Sequence, residues 1–256
     1  MQMLEVQNLS FGYRSQKVLE NISFSVNNGQ VLTLLGPNGT GKTSLLKCIL
    51  GLKKTLKGNI LYNGINIKKF SIRERAKYFS YVPQQMMNEG FSSVSVFEFV
   101  LMGRTPYVIN KITDKDEYLT MNALLHMKLE KLAFYSMNEI SGGERQRAYI
   151  ARALVQETPC ILMDEATSNL DVQNQLVVLH MVENLAHEMN RLVIMTLHDI
   201  NLASMFSDKL IMFKNHEILI QGAPNKVITK EYLKKEYNIE TVIIDNSGIN
   251  NAILRK

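Results

Sequence analysis

Eight consecutive residues have the composition of a loop that binds phosphate groups. The run Gly36-Pro37-Asn38-Gly39-Thr40-Gly41-Lys42-Thr43 matches the pattern G-x-x-x-x-G-K-[ST], and Ser44, which follows it, joins the nucleotide-binding set. Glycines let the backbone curl until successive N–H groups point at phosphate oxygens. Lys42 would reach the β- and γ-phosphates of a nucleotide, while the Thr43 hydroxyl would ligate Mg²⁺. An accidental glycine-rich turn is the alternative, which the strand before the loop and the helix after it disfavour.

Two acidic residues end a second apolar segment. Cys160-Ile161-Leu162-Met163 is followed directly by Asp164 and Glu165. A buried strand delivers such carboxylates to the carboxyl edge of a sheet, where α/β proteins bind ligands. Asp164 would hold Mg²⁺ through water, and Glu165 would polarise the water that attacks the γ-phosphate. By itself this segment is better explained as a strand ending in a turn; its pairing with the phosphate loop favours catalysis.

The start of a predicted helix supplies a third group. Ser141 and Glu144 have the spacing of a capping box, which would by itself account for both residues. Capping does not account for Gly142 and Gly143 between them, because glycine lowers the stability of a helix. Glycines at a helix start allow close backbone approach, and the N–H groups there favour an anion.

The apolar pattern predicts the elements that must position these groups. The predicted strands are 4–9, 22–26, 31–35, 60–62, 77–82, 160–163 and 192–197. The predicted helices run from the phosphate loop to a stop at Gly51 and over 94–102, 117–127, 144–154 and 173–189. Alternation in the first two strands indicates a half-buried antiparallel sheet, whereas 31–35 is apolar enough for burial on both faces. We therefore expect a parallel α/β core with a helical insertion after Pro83 and a small strand region in the tail.

These segments, in this order, resemble the ATPase subunit of an ATP-binding cassette (ABC) transporter from Met3 to about Asn238. Ser141-Gly142-Gly143-Glu144-Arg145-Gln146-Arg147 resembles the signature motif of that family, which usually reads Leu-Ser-Gly-Gly-Gln; Ile140 and Glu144 depart from it. The resemblance implies a P-loop NTPase fold, with a RecA-like parallel sheet core, an antiparallel β subdomain and an inserted α-helical subdomain. The ATPase domain would span 1–240, with the core at 1–90 and 155–240, the helical subdomain at about 91–154 and a short extension at 241–256.

The resemblance also implies roles in nucleotide binding, catalysis and dimer contact for individual residues. Tyr13 resembles the aromatic residue that stacks on adenine, although an ordinary sheet tyrosine explains it equally well. Gln84 resembles the glutamine that contacts Mg²⁺ and the attacking water, with Gln85 as the alternative in register. Ser168-Asn169-Leu170-Asp171 resembles the loop that crosses the dimer interface, and His198 resembles the histidine that contacts the γ-phosphate. Catalysis would then rest on Glu165, His198 and Gln84.

Partners follow from the same resemblance. Two copies would form a head-to-tail dimer with ATP between them, so that Ser141–Glu144 of one copy faces the phosphate loop of the other. Polytopic permease subunits would dock on the helical insertion, and an extracytoplasmic substrate-binding protein would deliver cargo. Met102-Gly103-Arg104-Thr105-Pro106-Tyr107 resembles a segment of iron–siderophore, haem and cobalamin importers. An ATPase of a zinc, manganese or molybdate importer, a soluble ABC ATPase outside transport, and a module that binds ATP without hydrolysing it stay open.

Composition limits the remaining classes. The chain has 256 residues, 46% of them apolar, enough for one or two domains with a sizeable core. No apolar run approaches the roughly 18 residues that a spanning helix needs, and no secretory signal begins the chain. The resemblance to transporter ATPases then implies a peripheral protein at the cytoplasmic face of the membrane, bound to separate membrane subunits. The net charge of +5 favours anionic partners, but the absence of Trp leaves no stacking platform for nucleic acid. Cys48 and Cys160 lie in apolar segments and are expected to be buried thiols.

Overall fold

The computed structural model describes residues 3–13, 16–84, 94–167, 170–246 and 249–254. Gln85, Ser168 and Asn169, named above, lie outside these residues. The strands are β1 (Met3–Tyr13), β2 (Gln16–Asn27), β3 (Val31–Leu35), β4 (Lys57–Tyr62), β5 (Ile65–Asn66), β6 (Phe79–Val82), β7 (Cys160–Met163), β8 (Leu192–Thr196), β9 (Lys209–Lys214), β10 (Glu217–Gly222), β11 (Thr241–Asn246) and β12 (Ile249–Leu254). The helices are α1 (Lys42–Ile49), α2 (Ile72–Arg75), α3 (Val96–Leu101), α4 (Asp114–His126), α5 (Gly142–Val155), α6 (Val172–His187), α7 (Ile200–Met205), α8 (Pro224–Val227) and α9 (Lys230–Tyr237).

The chain divides into two compact units. One comprises the residues up to Phe70 together with those from Leu179 onward, and the other is Ser71–Val178. In the first unit, β2, β1, β4 and β5 form an antiparallel sheet in that order, as alternation predicted. A bulge at Asn8, whose φ is 47°, shifts the pairing so that Val6 and Leu9 are both buried.

The same unit contains the sheet that carries the phosphate loop. β3 pairs in parallel with β8 on one side and β9 on the other. All of its residues are buried, as its apolar sequence predicted. β10 pairs antiparallel with β9 across a turn whose two residues, Asn215 and His216, are both left-handed. β9 and β10 were not predicted, because this turn lacks the glycine that usually marks a two-residue hairpin.

The tail of the first unit is a hairpin, which agrees with the predicted strand region. β11 and β12 pair antiparallel from Thr241 with Leu254 to Asn246 with Ile249. The Asn201 side chain on α7 pairs with the backbone of Ala252: its Oδ1 accepts from the amide at 2.8 Å and its Nδ2 donates to the carbonyl at 3.3 Å. The Asn250 side chain donates to the carbonyl oxygens of Asn225 and Ile228 near α8. The hairpin is therefore hydrogen-bonded to two helices.

The second unit is mainly helical. β6 and β7 pair in parallel, with Val82 opposite Met163, and α3, α4 and α5 pack on one another. The helices α2, α3, α4 and α5 each begin with a complete capping box, formed by Ser71, Ser95, Thr113 and Ser141. The 3-10 turn Met102–Arg104, which follows α3, lies close to α5, because a Cβ on Gly103 would lie 2.3 Å from the Arg152 carbonyl oxygen.

A buried ion pair lies beside that approach. The Arg104 guanidinium donates to Asp116 Oδ1 at 2.9 Å, and to the Val155 carbonyl and Glu157 Oε2 at 2.8 Å each. It also lies over the Tyr107 ring, 4.3 Å from the centroid. Arg104 thus joins the start of α4 to the end of α5. The prediction for the cysteines is confirmed, since Cys48 and Cys160 are both free and buried, and burial raises the pKa of Cys48 to about 12.

Candidate nucleotide-binding and hydrolysis site

The phosphate loop connects β3 to α1, and Gly41, just before α1, has no room for a side chain. Gly41 has φ 103°, and a Cβ there would lie 2.6 Å from both the Val18 carbonyl oxygen and Leu19 Cδ2. Gly41 is also the N-cap of α1, so this helix start has no side-chain cap. This start differs from those of α2 to α5, which have capping boxes, and a helix N-terminus without a side-chain cap is a place where an anion can bind.

Lys42 lies inside the loop that it follows. Its side chain is buried, with 5% of the residue exposed, and Nζ donates to the carbonyl oxygens of Gly36 at 2.6 Å and Pro37 at 3.0 Å. The ammonium group thus holds the loop in a curl while Pro37, Asn38 and Gly39 remain exposed. Thr43 and Ser44, in the first turn of α1, are half-buried.

Tyr13 ends β1 in the same unit as the phosphate loop. It is 46% exposed, which leaves ring surface for a planar ligand. The Phe11 ring meets it edge-on with centroids 4.9 Å apart, and Lys53 Nζ lies 5.0 Å from its centroid. This geometry is compatible with a tyrosine that stacks on adenine and with an ordinary tyrosine of the sheet.

Asp164 follows β7, where the sequence predicted it, and is 1% exposed. Its amide donates to the Val82 carbonyl at 2.9 Å, and the Tyr81 hydroxyl donates to its Oδ2 at 3.2 Å. The sequence analysis missed Tyr81, although the parallel pairing of β6 with β7 places it one residue before the strand end. Burial, with Asp164 beside it, raises the pKa of Tyr81 well above its ordinary value, so the hydroxyl keeps its proton and remains a donor.

Glu165 turns sharply away from the strand. Its φ of 46° is left-handed, which is uncommon outside glycine and is a form of strain that clusters at functional sites. The turn leaves Glu165 half-buried beside the fully buried Asp164. Gln84 Nε2 donates a hydrogen bond to Glu165 Oε2, so two residues predicted to act together do lie together.

The signature segment begins α5, and its serine has a structural role. Glu144 Oε2 accepts two hydrogen bonds from Ser141, one from Oγ at 2.7 Å and one from the backbone amide at 2.8 Å. These bonds, with the side-chain one first in importance, hold the pKa of Glu144 below its usual range. Gly142 has open space where a Cβ would stand. A Cβ on Gly143 would lie 3.2 to 3.3 Å from the amide atoms of Asn174. Gly142 therefore has open space beside its backbone, whereas the space beside Gly143 is taken by the Asn174 amide.

Asn174 connects the signature segment to the predicted interface loop. Its backbone amide donates to Asp171 Oδ1 at 2.8 Å, and its Nδ2 donates to Asp171 Oδ2 at 3.0 Å. Asp171 itself is exposed. The sequence analysis missed Asn174, because a single asparagine in the first turn of a helix carries no functional signal by itself.

His198 follows β8, as predicted, and is exposed. The next residue, Asp199, caps α7 by accepting from the amides of Asn201 and Leu202 at 2.8 and 2.9 Å. The backbone on the carboxyl side of His198 is therefore fixed by a helix cap.

Two features are absent from the described parts of the chain. None of the helices found there is both long and apolar enough to cross a membrane. Among the same residues, no three His, Cys, Asp or Glu side chains come together in a group that could hold a metal ion by themselves.

Known proteins resemble this chain over nearly its whole length. The family model described as ABC transporter matches residues 19–168. An uncharacterized ABC transporter ATP-binding protein of Methanocaldococcus jannaschii is 41% identical over 97% of this chain and 96% of that relative. The petrobactin import ATP-binding protein YclP of Bacillus subtilis is 33% identical over 96% of this chain and 98% of that relative. The iron(3+)-hydroxamate import ATP-binding protein FhuC of Bacillus subtilis is 32% identical, with coverages of 99% and 94%.

Solved structures agree with these relatives. A chain from an inward-facing structure of metal-chelate type ABC transporter matches with a TM-score of 0.85 and 29% identity, over 98% of this chain and 96% of that chain. The cbiO1 protein of Clostridium perfringens, part of the transporter complex cbiONQ, matches with a TM-score of 0.80 and 26% identity, with coverages of 92% and 94%. The predicted α/β fold class is confirmed.

Proposed function

This chain belongs to the ABC transporter family, and from that premise we propose that it is the ATP-hydrolysing subunit of an importer for iron–siderophore, haem or cobalamin-type cargo. The observation that carries the proposal is the start of α1, where an uncapped helix end and a curled glycine loop surround a buried lysine. Relatives named for petrobactin and iron(3+)-hydroxamate import support an iron chelate as the cargo over zinc, manganese or molybdate.

ATP binds to the first unit through its phosphates. The N–H groups at the start of α1 and along the loop donate to phosphate oxygens, and Lys42 supplies the positive charge. The Lys42 ammonium group is already bound to two carbonyl oxygens and shielded from solvent, so nucleotide binding adds little cost of desolvation. Tyr13, exposed at the end of β1, offers its ring to adenine.

The chemistry of the available donors suits Mg²⁺. The Thr43 hydroxyl, the Asp164 carboxylate and the Gln84 amide oxygen are hard oxygen ligands, and Mg²⁺ takes one or two carboxylates together with substrate phosphates and water. The Tyr81 hydroxyl, which donates to Asp164 Oδ2, holds this carboxylate in one orientation. When bound, the ion would neutralise charge on the phosphates.

Hydrolysis rests on Glu165 as the general base. Its carboxylate accepts the proton of the attacking water, while Gln84, hydrogen-bonded to Oε2, keeps the carboxylate in one orientation. The left-handed backbone at Glu165 aims this side chain differently from its buried neighbour Asp164. His198 contacts the γ-phosphate and stabilises the charge that develops there.

Assembly completes the proposed function. A second copy contributes Ser141, Gly142, Gly143 and Glu144 to the ATP bound by the first copy, and the loop at Asp171 lies in that interface. Separate polytopic permease subunits bind the ATPase at the cytoplasmic face of the membrane. A substrate-binding protein outside the membrane delivers the cargo. The open space at Gly142 supports the trans contact, because it admits a close approach by an anion.

A single substitution tests the hydrolytic role. Glu165→Gln should bind ATP, hydrolyse it at least about 100-fold more slowly and accumulate as a dimer, because a general base contributes about 10² to 10⁴ in rate. Phosphate release and size-exclusion chromatography with ATP and Mg²⁺ measure these effects. Glu217→Gln, which makes the same change at an exposed residue of β10, is the matched control. A Glu165→Gln protein that stays monomeric or hydrolyses at the normal rate would contradict the assignment.

The transport role needs a second experiment. Tagged Glu165→Gln protein is used to capture partners from detergent-solubilised native membranes in the presence of ATP and Mg²⁺. Recovery of a polytopic membrane protein would support the transporter, and a co-purified binding protein would then be tested for ferric siderophore binding. Recovery of soluble chains alone, despite an ATP-bound dimer, would favour a soluble ABC ATPase instead.

A further inference from the structure

One side chain in the first turn of α6 contacts both segments that the proposed dimer would bring to a second copy. Asn174 Nδ2 donates to Asp171 Oδ2 at 3.0 Å, and the Asn174 backbone amide donates to Asp171 Oδ1 at 2.8 Å. Both oxygens of the carboxylate are thus bound by a single residue. The carboxylate cannot rotate without breaking one of these bonds, so Asn174 sets the orientation of Asp171 in the predicted interface loop.

The same side chain lies against Gly143 in the signature segment. A Cβ on Gly143 would stand 3.2 Å from Asn174 Cγ and 3.3 Å from both Nδ2 and Oδ1. Because these three atoms are almost equally distant, the face of the amide group, and not its edge, lies over Gly143. The edge of the amide is left to donate to Asp171. Asn174 therefore holds the interface loop against the signature segment of its own chain.

The next residue of the helix holds the other end of the interface loop. Gln175 Nε2 donates to the Thr167 carbonyl at 3.0 Å, and the Gln175 backbone amide donates to the Asp171 carbonyl at 2.8 Å. Thr167 lies only two residues after Glu165. The first turn of α6 thus anchors the chain on both sides of the loop, and of its two anchoring side chains the one at Asn174 also meets the signature segment.

Capping of α6 accounts for only one of these contacts. Asp171 precedes α6, and its Oδ1 accepts from the backbone amide of the third helical residue, as the side chain of a helix N-cap does. That bond uses the backbone alone, so it would form with other residues at position 174. The Nδ2 bond to Asp171 and the packing on Gly143 both need the Asn174 side chain. The side chain therefore makes contacts that capping does not require.

We propose that Asn174 is a positioning residue for dimer assembly, which joins the signature segment and the interface loop into one preformed surface for the second copy. The inference rests on the proposed ATPase function. Without the Nδ2 bond, Asp171 and Gly143 are no longer fixed relative to each other, and only a fraction of the molecules presents the competent surface. Each copy of a two-fold dimer presents this surface, so the fraction enters the dimerisation constant twice. A fall of the competent fraction to between about one-half and one-third weakens dimerisation about four- to ninefold.

The test compares the same chemical change at neighbouring positions. Asn174→Asp keeps the shape of the side chain and the backbone bond, but replaces the donor with a second carboxylate facing Asp171. Gln173→Glu makes the same amide-to-acid change at an exposed residue of the same turn and is the matched control. Asn174→Ala removes the donor without adding charge.

Each variant is made in the Glu165→Gln protein, so that ATP is not consumed, and dimerisation is measured by sedimentation over a series of protein concentrations with ATP and Mg²⁺. Dimerisation should be about four- to ninefold weaker for Asn174→Ala, at least as weak for Asn174→Asp and unchanged for Gln173→Glu. A fluorescent ATP analogue, titrated at protein concentrations too low for dimers, should bind every variant within about twofold of the parent, since the phosphate loop is untouched. With Glu165 restored, the hydrolysis rate of Asn174→Ala should fall at low protein concentration and return at high concentration.

The outcomes separate the inference from the proposed function. If the parent protein binds no ATP, or binds it without forming a dimer, the proposed function fails before the variants matter. If the parent dimerises and Asn174→Ala dimerises equally well, the positioning role is wrong, whether or not the nucleotide-free melting temperature has fallen. Equal weakening by Gln173→Glu would also overturn it, because added charge would then be the cause. So would a hydrolysis rate that stays low at high protein concentration, because Asn174 would then act on the chemical step.

Discussion

Replacing Arg104 with alanine should destabilise the second unit strongly. The guanidinium is 4% exposed and the Asp116 carboxylate 7% exposed, so the substitution leaves a buried carboxylate without its cationic partner. It also removes the hydrogen bond to the Val155 carbonyl and the contact with the Tyr107 ring. Breaking one side of a buried ion pair costs about 3–5 kcal/mol.

Two hydrogen bonds from Thr113 to Asp116 should reduce the cost of losing Arg104. The Thr113 amide and hydroxyl both donate to Asp116 Oδ2, at 3.0 and 2.7 Å, and they remain after the substitution. We therefore expect the lower end, about 3 kcal/mol, because half of the carboxylate stays solvated by donors. For a chain of this size, that corresponds to a fall in melting temperature of about 6–12 °C. Circular dichroism is the suitable probe, since the chain contains no Trp.

The pH dependence gives a second readout. The Thr113 hydroxyl and then the Arg104 guanidinium hold the pKa of Asp116 below 3.8, its ordinary value. A lowered pKa stabilises the folded state above pH 3.8, and this contribution is lost as the pH falls through the lowered value. The penalty of Arg104→Ala should thus be constant from pH 8 to pH 5 and shrink in more acidic solution, where Asp116 becomes neutral.

A matched control uses the other carboxylate of the cluster. Glu157 accepts from the same guanidinium but is 42% exposed, so Glu157→Gln should cost no more than about 1 kcal/mol. An Arg104→Ala penalty below about 1 kcal/mol, or one equal to that of Glu157→Gln, would refute the claim that burial makes the pair with Asp116 the important one.

Three further predictions concern single residues. Lys42→Ala should weaken ATP binding by about ten- to a hundredfold in a nucleotide titration, because a hydrogen bond to a charged group is worth about 1.5–3 kcal/mol. Ser141→Ala should lower the free energy of unfolding by about 1 kcal/mol in a denaturant titration by loss of the cap, and Ser141→Thr should restore it. Glu236→Gln should raise the melting temperature at pH 8 but not at pH 4: burial raises the pKa of Glu236 above 4.5, so its ionised form destabilises the fold only at higher pH.

The local sequence pattern predicted correctly those features whose residues are contiguous in the chain. The phosphate loop was predicted because its glycines, Lys42 and the flanking strand and helix are contiguous. β7 was predicted to the residue, since Cys160–Met163 is apolar throughout and ends at two acids. The roles assigned to Asp164, Glu165 and His198 stay predictions until they are measured.

The supports of the site were not predictable in the same way. Tyr81 and Asp164 are far apart in the sequence, and a tyrosine inside a strand has the same local pattern whether or not its hydroxyl meets a carboxylate. Arg104 was noticed only through the resemblance to importers. Its partner Asp116 lies in α4, where an acidic residue in the first turn is common and indicates no particular partner. Such pairings depend on how elements pack, which the apolar period of each element does not encode.

The contact between Gly143 and Asn174 has a consequence for how sequences of this family vary. The space for a side chain at position 143 ends at the Asn174 amide, which is itself held by Asp171. An alanine at 143 would push the Asn174 amide back by a few tenths of an ångström, against the hydrogen bonds that Asp171 makes with it. A relative with a side chain at 143 should therefore have either a shifted Asn174 amide or a smaller residue at 174.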